Sequence, residues 1–366
     1  MRIVTPLLKR VIYPALSTAG VFHRTSASGL AVVTYHGVTP PGYEPVDPAF
    51  DGNLISVEML RRQLRLLKAH YNIISPEDVL AWRQDGRELP RRAVLVTCDD
   101  GLLNCLTDML PVLQQERVRC LFFVTGASAG QRRKVLWYEE LFLLLRASAG
   151  PFEHSAEGLA IQGELGAQAQ RRSMWWDAVK HLSQMEAMRR ESFLNGLRAK
   201  LGFGAMRDIA DGKSVSSRRF GLLTIAELRH LAASGMSIGA HTLSHPLLSQ
   251  MLAELAYVEI SQSRAMLESA LQQRIWAFAY PFGDPQSVTP QVLGMPQKAG
   301  YDVAFLNFGG GLGSRLPPYA LPRIHITAEM NLAEFEAHVS GFYSRLRHYS
   351  GRGQEDAEFT QRLVSE

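Results

Sequence analysis

The chain has 366 residues, of which 46% are hydrophobic and 20% charged, with 30 glycines and 18 prolines. That composition is enough for a large buried core, and Gly and Pro are not enriched enough to suggest disorder. A net charge of +4, without a dense Lys/Arg stripe interleaved with aromatics, argues against a nucleic-acid partner.

In residues 1–29, Ile3, Val4, Leu7, Leu8, Val11, Ile12, Ala15 and Leu16 recur at helical spacing beside Arg2, Lys9 and Arg10. Pro6 and Pro14 weaken a continuous helix there. The Lys9-Arg10 pair interrupts the apolar run, which does not fit a signal peptide, and no stretch of ~20 apolar residues predicts a membrane span. Two readings stand side by side: an amphipathic helix that rests on a membrane through residues 1–25, and a helix that packs on the domain. The expected location is cytoplasmic or peripheral to an inner membrane.

Residues 30–349 read as one α/β unit. Leu30–Val38 predicts a buried strand that runs into a loop, and 56–70 a helix with Ser56 as N-cap. A short strand at Asn72–Ile74 and a helix opened by Ser75-Pro76-Glu77 follow. Ala93–Thr97 is a second buried strand, 104–115 a helix and Cys120–Val124 a third strand. Residues 127–220 break this rhythm and predict a mostly helical insertion, in which Trp175 and Trp176 are either sugar platforms or packing anchors. The core resumes with a helix capped by Thr224 and strands at Met236–Ala240, Ile275–Tyr280, Val303–Leu306 and Pro322–Ile326. Gly309-Gly310-Gly311 is expected to be a flexible loop, and 350–366 a polar, frayed tail. Alternation of strand and helix predicts a parallel sheet or barrel, whose sites gather at the carboxyl ends of the strands.

The candidate chemistry lies at those ends. Asp99 and Asp100 follow one strand, and adjacent carboxylates are costly to crowd unless a cation holds one of them. His241 and His245 follow another, at an i, i+4 spacing that on a helical turn puts both imidazoles on one face. With Asp100 they make three protein ligands with room for water, as in catalytic zinc sites, and leave Asp99 free to take a proton from that water. Cys98, Cys105 and Cys120 are odd in number and not at metal-ligand spacing, so they read as buried small hydrophobes. His36, also at a strand end, reads as structural or substrate-lining.

Thr97-Cys98-Asp99-Asp100-Gly101 and His241-Thr242-Leu243-Ser244-His245 resemble the T-F-D-D-G and H-[ST]-x-x-H motifs of the polysaccharide deacetylases with a NodB-type domain. Tyr35-His36-Gly37-Val38 and Tyr280-Pro281-Phe282-Gly283 resemble two further segments of a bacterial branch. The resemblance implies a distorted (β/α) barrel with fewer than eight regular units. It implies Asp99 as general base and Asp100, His241 and His245 as ligands of one divalent ion, usually zinc. It implies an oxyanion and substrate contact at Tyr280, Pro281 and Phe282, through the Phe282 N–H, and a histidine acid for which His325 is the candidate. Cys98 stands where Phe is usual, and Ala279 where many members carry an arginine that orients the base. Arg323 is the candidate replacement, sharing a strand face with His325. The implied activity is deacetylation of an N-acetylated amino sugar in a polysaccharide or lipid-linked glycan precursor. Alternatives are an O-acyl sugar esterase of the same chemistry and an inactive carbohydrate-binding relative; retention of all four polar residues counts against the last.

Overall fold

The computed structural model describes residues 4–26, 29–202, 204–309 and 317–349. Both the 309–311 loop, beyond its first residue, and the 350–366 tail lie outside the described residues.

Seven parallel strands close into a barrel in chain order. They are β1 Leu30–Tyr35, β2 Ala93–Cys98, β3 Leu121–Val124, β4 Ser237–Ala240, β5 Ala277–Ala279, β6 Val303–Gly309 and β7 Leu321–His325. Closure is between β1 and its two neighbours, with Val33 opposite Ile324 on one side and Thr34 opposite Thr97 on the other. A short strand, Asn72–Ile73, adds to the start of β2. Helices connect the strands, as parallel pairing requires. The expected caps form: Ser56 accepts from the Met59 N–H, and Ser75 and Thr224 each close a capping box, with Asp78 and Glu227.

The strands are buried on both faces, and period-two alternation sorts their side chains into two cores. Leu30, Val32, Leu95, Phe123, Ala279 and Phe305 belong to the interior cluster. Val33, Val96, Phe122, Ile238, Phe278 and Tyr280 belong to the layer beneath the helices. Gly239 is small of necessity, because a Cβ there would stand 2.6 Å from the Phe123 ring.

Between β3 and β4 the chain builds helices Trp137–Arg146, Gln168–Leu182 and Ala187–Leu201 over a core of their own, which includes Phe142, Trp175 and Phe193. The reading of this region as helical missed an antiparallel hairpin, Pro151–Ala156 with Leu159–Glu164. Its turn is Glu157-Gly158, both at positive φ, the backbone that suits a two-residue hairpin loop. Trp175 is an anchor, 3% exposed, with its indole N–H donating to the Tyr138 carbonyl at 2.7 Å, whereas Trp176 is 43% exposed.

The N-terminal segment stays helical through Val4–Leu7, Leu8–Ile12 and Tyr13–Thr18 despite Pro6 and Pro14. Pro14 cannot donate to a preceding carbonyl, and the turn before it widens instead of breaking. Tyr13 and Phe22 are buried in a small core with Ala337, against Phe342. No helix among the described residues is long and apolar enough to cross a membrane.

The two tryptophans should separate in stability. Trp175→Ala is expected to cost ~3–5 kcal/mol and Trp176→Ala under about 1 kcal/mol, measured by denaturant unfolding. Equal costs would contradict this assignment of anchor and surface residue.

Candidate active site at the carboxyl ends of the strands

Residues that continue the interior face past the strand ends point into the mouth of the barrel. Asp99 follows β2, and its N–H donates to the Tyr35 carbonyl at 2.8 Å, so the ladder holds it in the alternation. Its carboxylate is buried and meets Arg323 of β7 in a bidentate pair, Nη1 to Oδ1 and Nη2 to Oδ2, each 2.6 Å. Nη1 of Arg323 also donates to Thr34 Oγ1 at 2.8 Å, and its Nε to the Leu306 carbonyl at 2.8 Å. The guanidinium lies over the Phe123 ring, 5.3 Å from its centroid. Burial pushes the Asp99 carboxyl up, but Arg323 and then His241 outweigh it, and the group stands below the ordinary aspartate value. Arg323, the candidate replacement for the arginine absent at Ala279, thus reaches Asp99 from another strand.

Simple alternation would turn Asp100 away from the mouth. A left-handed turn prevents this: φ is 72° at Asp100 and 75° at Gly101. A Cβ on residue 101 would also approach Val124 Cγ1 to 2.8 Å. The turn brings Asp100 Oδ1 to 3.6 Å from His241 Nε2 and 3.3 Å from His245 Nε2.

The two histidines reach each other differently from the sequence expectation. Residues 241–245 form an irregular loop, not a helical turn. Positive φ at Thr242 (62°) and His245 (56°) folds the loop back, and Thr242 Oγ1 accepts from the His245 N–H at 3.1 Å. Glu259 takes up the Leu243 and Ser244 N–H groups, both at 2.9 Å, which a helix would have bonded internally. Trp137 donates its indole N–H to the His245 carbonyl at 3.1 Å, and the Tyr138 ring lies 5.6 Å from that of His245. Trp137, Tyr138 and Glu259 were missed by sequence reasoning. The first two come from the region between β3 and β4, with helical spacing as their one signal.

One ligand atom from each of Asp100, His241 and His245 falls within 4.8 Å of the others, and all three residues are buried. Nδ1 of His241 lies 2.7 Å from the Ala279 carbonyl, which accepts only, so the proton is on Nδ1 and Nε2 presents its lone pair. Burial pushes the His241 imidazole down to about 4, so it is neutral at neutral pH and its approach to Asp100 is not an ion pair. Asp100 Oδ1 has no hydrogen-bond partner among the described residues although it is buried. A carboxylate oxygen facing an imidazole lone pair is repulsive unless a cation lies between them, and the donor set therefore fits a divalent ion. The hydrogen bond to Ala279 gives His241 the second-sphere support that ligating imidazoles use.

The remaining predicted residues divide. His325 and His36 stand side by side, with ring centroids 4.8 Å apart, and neither His325 Nε2 nor His36 Nδ1 has a partner among the described residues. Burial, and then His36, pushes the His325 imidazole down to about 3. Phe282, at φ 62°, is 39% exposed and packs 5.1 Å from the His245 ring. Gly283 after it admits no side chain, because a Cβ would stand 2.3 Å from the Asn307 nitrogen. Tyr280 departs from its expected place at the substrate. Alternation directs it outward beneath the helices, and its hydroxyl donates to the Tyr319 carbonyl at 2.9 Å, with the Leu293 carbonyl 3.2 Å away. Cys98 and Cys105 lie in that same outer layer, their sulfurs 3.6 Å apart as free thiols.

Arg323→Met removes the partner of a buried charge and is expected to cost ~3–5 kcal/mol at neutral pH. The Asp99 carboxyl is depressed in the folded parent, so its contribution to stability is present above the unfolded value of about 3.9 and is lost as pH falls through the lower folded value. The gap between parent and variant in urea unfolding should therefore narrow below about pH 4. A gap independent of pH would contradict the pairing.

A family model described as polysaccharide deacetylase matches residues 205–304. A stretch of 128 residues is 24% identical to the protein YxkH of Bacillus subtilis (strain 168), provisionally named a polysaccharide deacetylase; the match covers 35% of this chain and 44% of that relative's length. The fold is similar to that of the deacetylase PplD of Streptococcus pyogenes, solved with acetate: TM-score 0.53, 17% identity, 86% of this chain and 99% of the other. It is likewise similar to IcaB of Ammonifex degensii: TM-score 0.51, 18% identity, 86% and 98%. These two likenesses establish the barrel as a (β/α) barrel of the NodB type. The family match over residues 205–304 and the Bacillus subtilis relative both liken the chain to the polysaccharide deacetylases.

Proposed function

We propose that the chain is a metal-dependent hydrolase that removes the acetyl group from an N-acetylated sugar in a polysaccharide or lipid-linked glycan. The observation that carries this reading is a buried Asp100-His241-His245 donor set beside a second carboxylate, Asp99, clamped by Arg323. A divalent cation held by Asp100, His241 and His245, zinc by its donor types, would supply positive charge that acidifies water and polarises the acyl oxygen.

The chain's own residues do the rest. Asp99, kept ionised by Arg323, accepts the proton of the attacking water as its oxygen bonds to the acyl carbon. The Phe282 N–H, at the rim of the same mouth, donates to the developing oxyanion. The carbon–nitrogen bond then breaks, and acetate and a free amine leave. His325 is neutral at neutral pH, so it must gain a proton before it can deliver one. Its role here is to relay the proton taken by Asp99 to the leaving nitrogen. Solvent-exposed Phe282 offers a face on which a sugar ring stacks.

Metal analysis and acetate release from acetylated glycans test this together. The parent should carry about one divalent ion per chain, lost in Asp100→Ala and His245→Ala. Asp99→Asn should keep the metal and lose about 10²–10⁴-fold in acetate release, with His325→Gln less severe because it removes only the relay. Folded parent without metal, or Asp99→Asn at parental rate, would overturn the proposal.

A further inference from the structure

The helical run Val4–Thr18 has two unlike faces. One is fastened to the helix Leu332–Val339: Asn331 Nδ2 donates to the Lys9 carbonyl at 2.9 Å, Lys9 Nζ pairs with Glu334 at 3.0 Å, and Ser17 bonds Glu336. Buried Tyr13 belongs to the same face. The other face is bare and apolar. Leu7 is 52% exposed, Val11 55% and Ile12 36%, with Ala15 continuing the stripe one turn on. Leu7, Val11 and Ala15 are spaced i, i+4, i+8, so they form one line along the helix.

Charge selects the occupant of that line. The first 43 residues contain no Asp or Glu, while Arg2, Lys9, Arg10 and Arg24 are basic, and Arg10 is exposed within the stripe. An apolar line with exposed Arg10 within it, in a stretch of sequence with no acid to repel phosphate, complements an anionic bilayer surface. A helix held by its inner face to a folded barrel, in a chain whose described helices are too short or too polar to span, lies on the membrane and does not cross it.

Position adds a consequence. Asn331 lies six residues beyond His325, the last residue of β7, so the Lys9 turn is fastened to the connection that leaves the carboxyl end of that strand. We infer that Leu7, Val11, Ile12 and Arg10 dock the protein on an anionic phospholipid bilayer, with the mouth of the barrel held at the membrane surface. Its bearing on substrate, a glycan presented at a bilayer, rests on the deacetylase reading; the docking itself does not.

Flotation of the full chain tests it. The probes are vesicles of equal parts phosphatidylcholine and phosphatidylglycerol, and vesicles of phosphatidylcholine alone. The parent should float with the anionic vesicles and much less with the neutral ones, and Leu7→Glu/Val11→Glu should lose about a hundredfold in partitioning. Met188→Glu, at a 75% exposed position in the region between β3 and β4, should float like the parent. Acetate release from a soluble glycan should be the same in parent and Leu7→Glu/Val11→Glu, which separates failure of docking from failure of the deacetylase reading. A parent that stays unbound, a double variant that floats undiminished, or a parental dimer in solution that the double variant dissociates would each overturn the inference, the last by assigning the stripe to a second copy of the chain.

Discussion

The buried pair between Arg323 and Asp99 is the interaction on which the rest of the site depends. It joins the last strand of the barrel to the second, with Thr34 of the first strand hydrogen-bonded between them, and so lies across the seam where the barrel closes. An isolated carboxylate at that depth would be strongly disfavoured as an anion. With both oxygens engaged by one guanidinium, it is ionised and fixed in orientation. The arginine is held in turn from below by Phe123 and from the side by the Leu306 carbonyl, so its charge has a single direction. This constraint separates two adjacent aspartates: Asp99 belongs to Arg323, and Asp100 is left to the histidines.

Strain gathers around that division. Asp100, Thr242, His245 and Phe282 all take positive φ, which costs non-glycine residues energy, and all four lie at the mouth. Each is held by something specific nearby. The Asp100 turn rests on Gly101, the 241–245 loop on Thr242 Oγ1 and Glu259, and the Phe282 turn on the close approach of Gly283 to Asn307. Trp137 extends this support from outside the barrel, so the region between β3 and β4 helps to position a candidate ligand as well as to form a separate core.

Much of this was legible in the sequence because period-two alternation carries over from strand to site. The parity that puts Val32, Leu95 and Phe305 in the barrel interior also puts His36, Asp99, Arg323 and His325 at its mouth. Departures occur where parity is broken or where a contact is not local. Tyr280 is adjacent to the site in sequence yet has the outward parity. The histidine spacing was right for proximity and wrong about cause, since an irregular loop with Glu259 as acceptor replaces the helical turn. Nothing local to Trp137 could reveal that its indole would meet a carbonyl 108 positions away. The hairpin was hidden because Glu157-Gly158 is a weaker turn signal than Asn-Gly, amid residues of good helix propensity.

Three residues form the candidate metal site, and Asp99, one position from a candidate ligand, stands outside it. Anomalous diffraction at the zinc edge from crystals of the full chain grown with zinc tests this most directly. One strong peak is expected in contact with Asp100, His241 and His245, with Asp99 still paired to Arg323 and not coordinating. A peak coordinated by Asp99 with Arg323 displaced, or a fully loaded site elsewhere and none between the histidines, would contradict it.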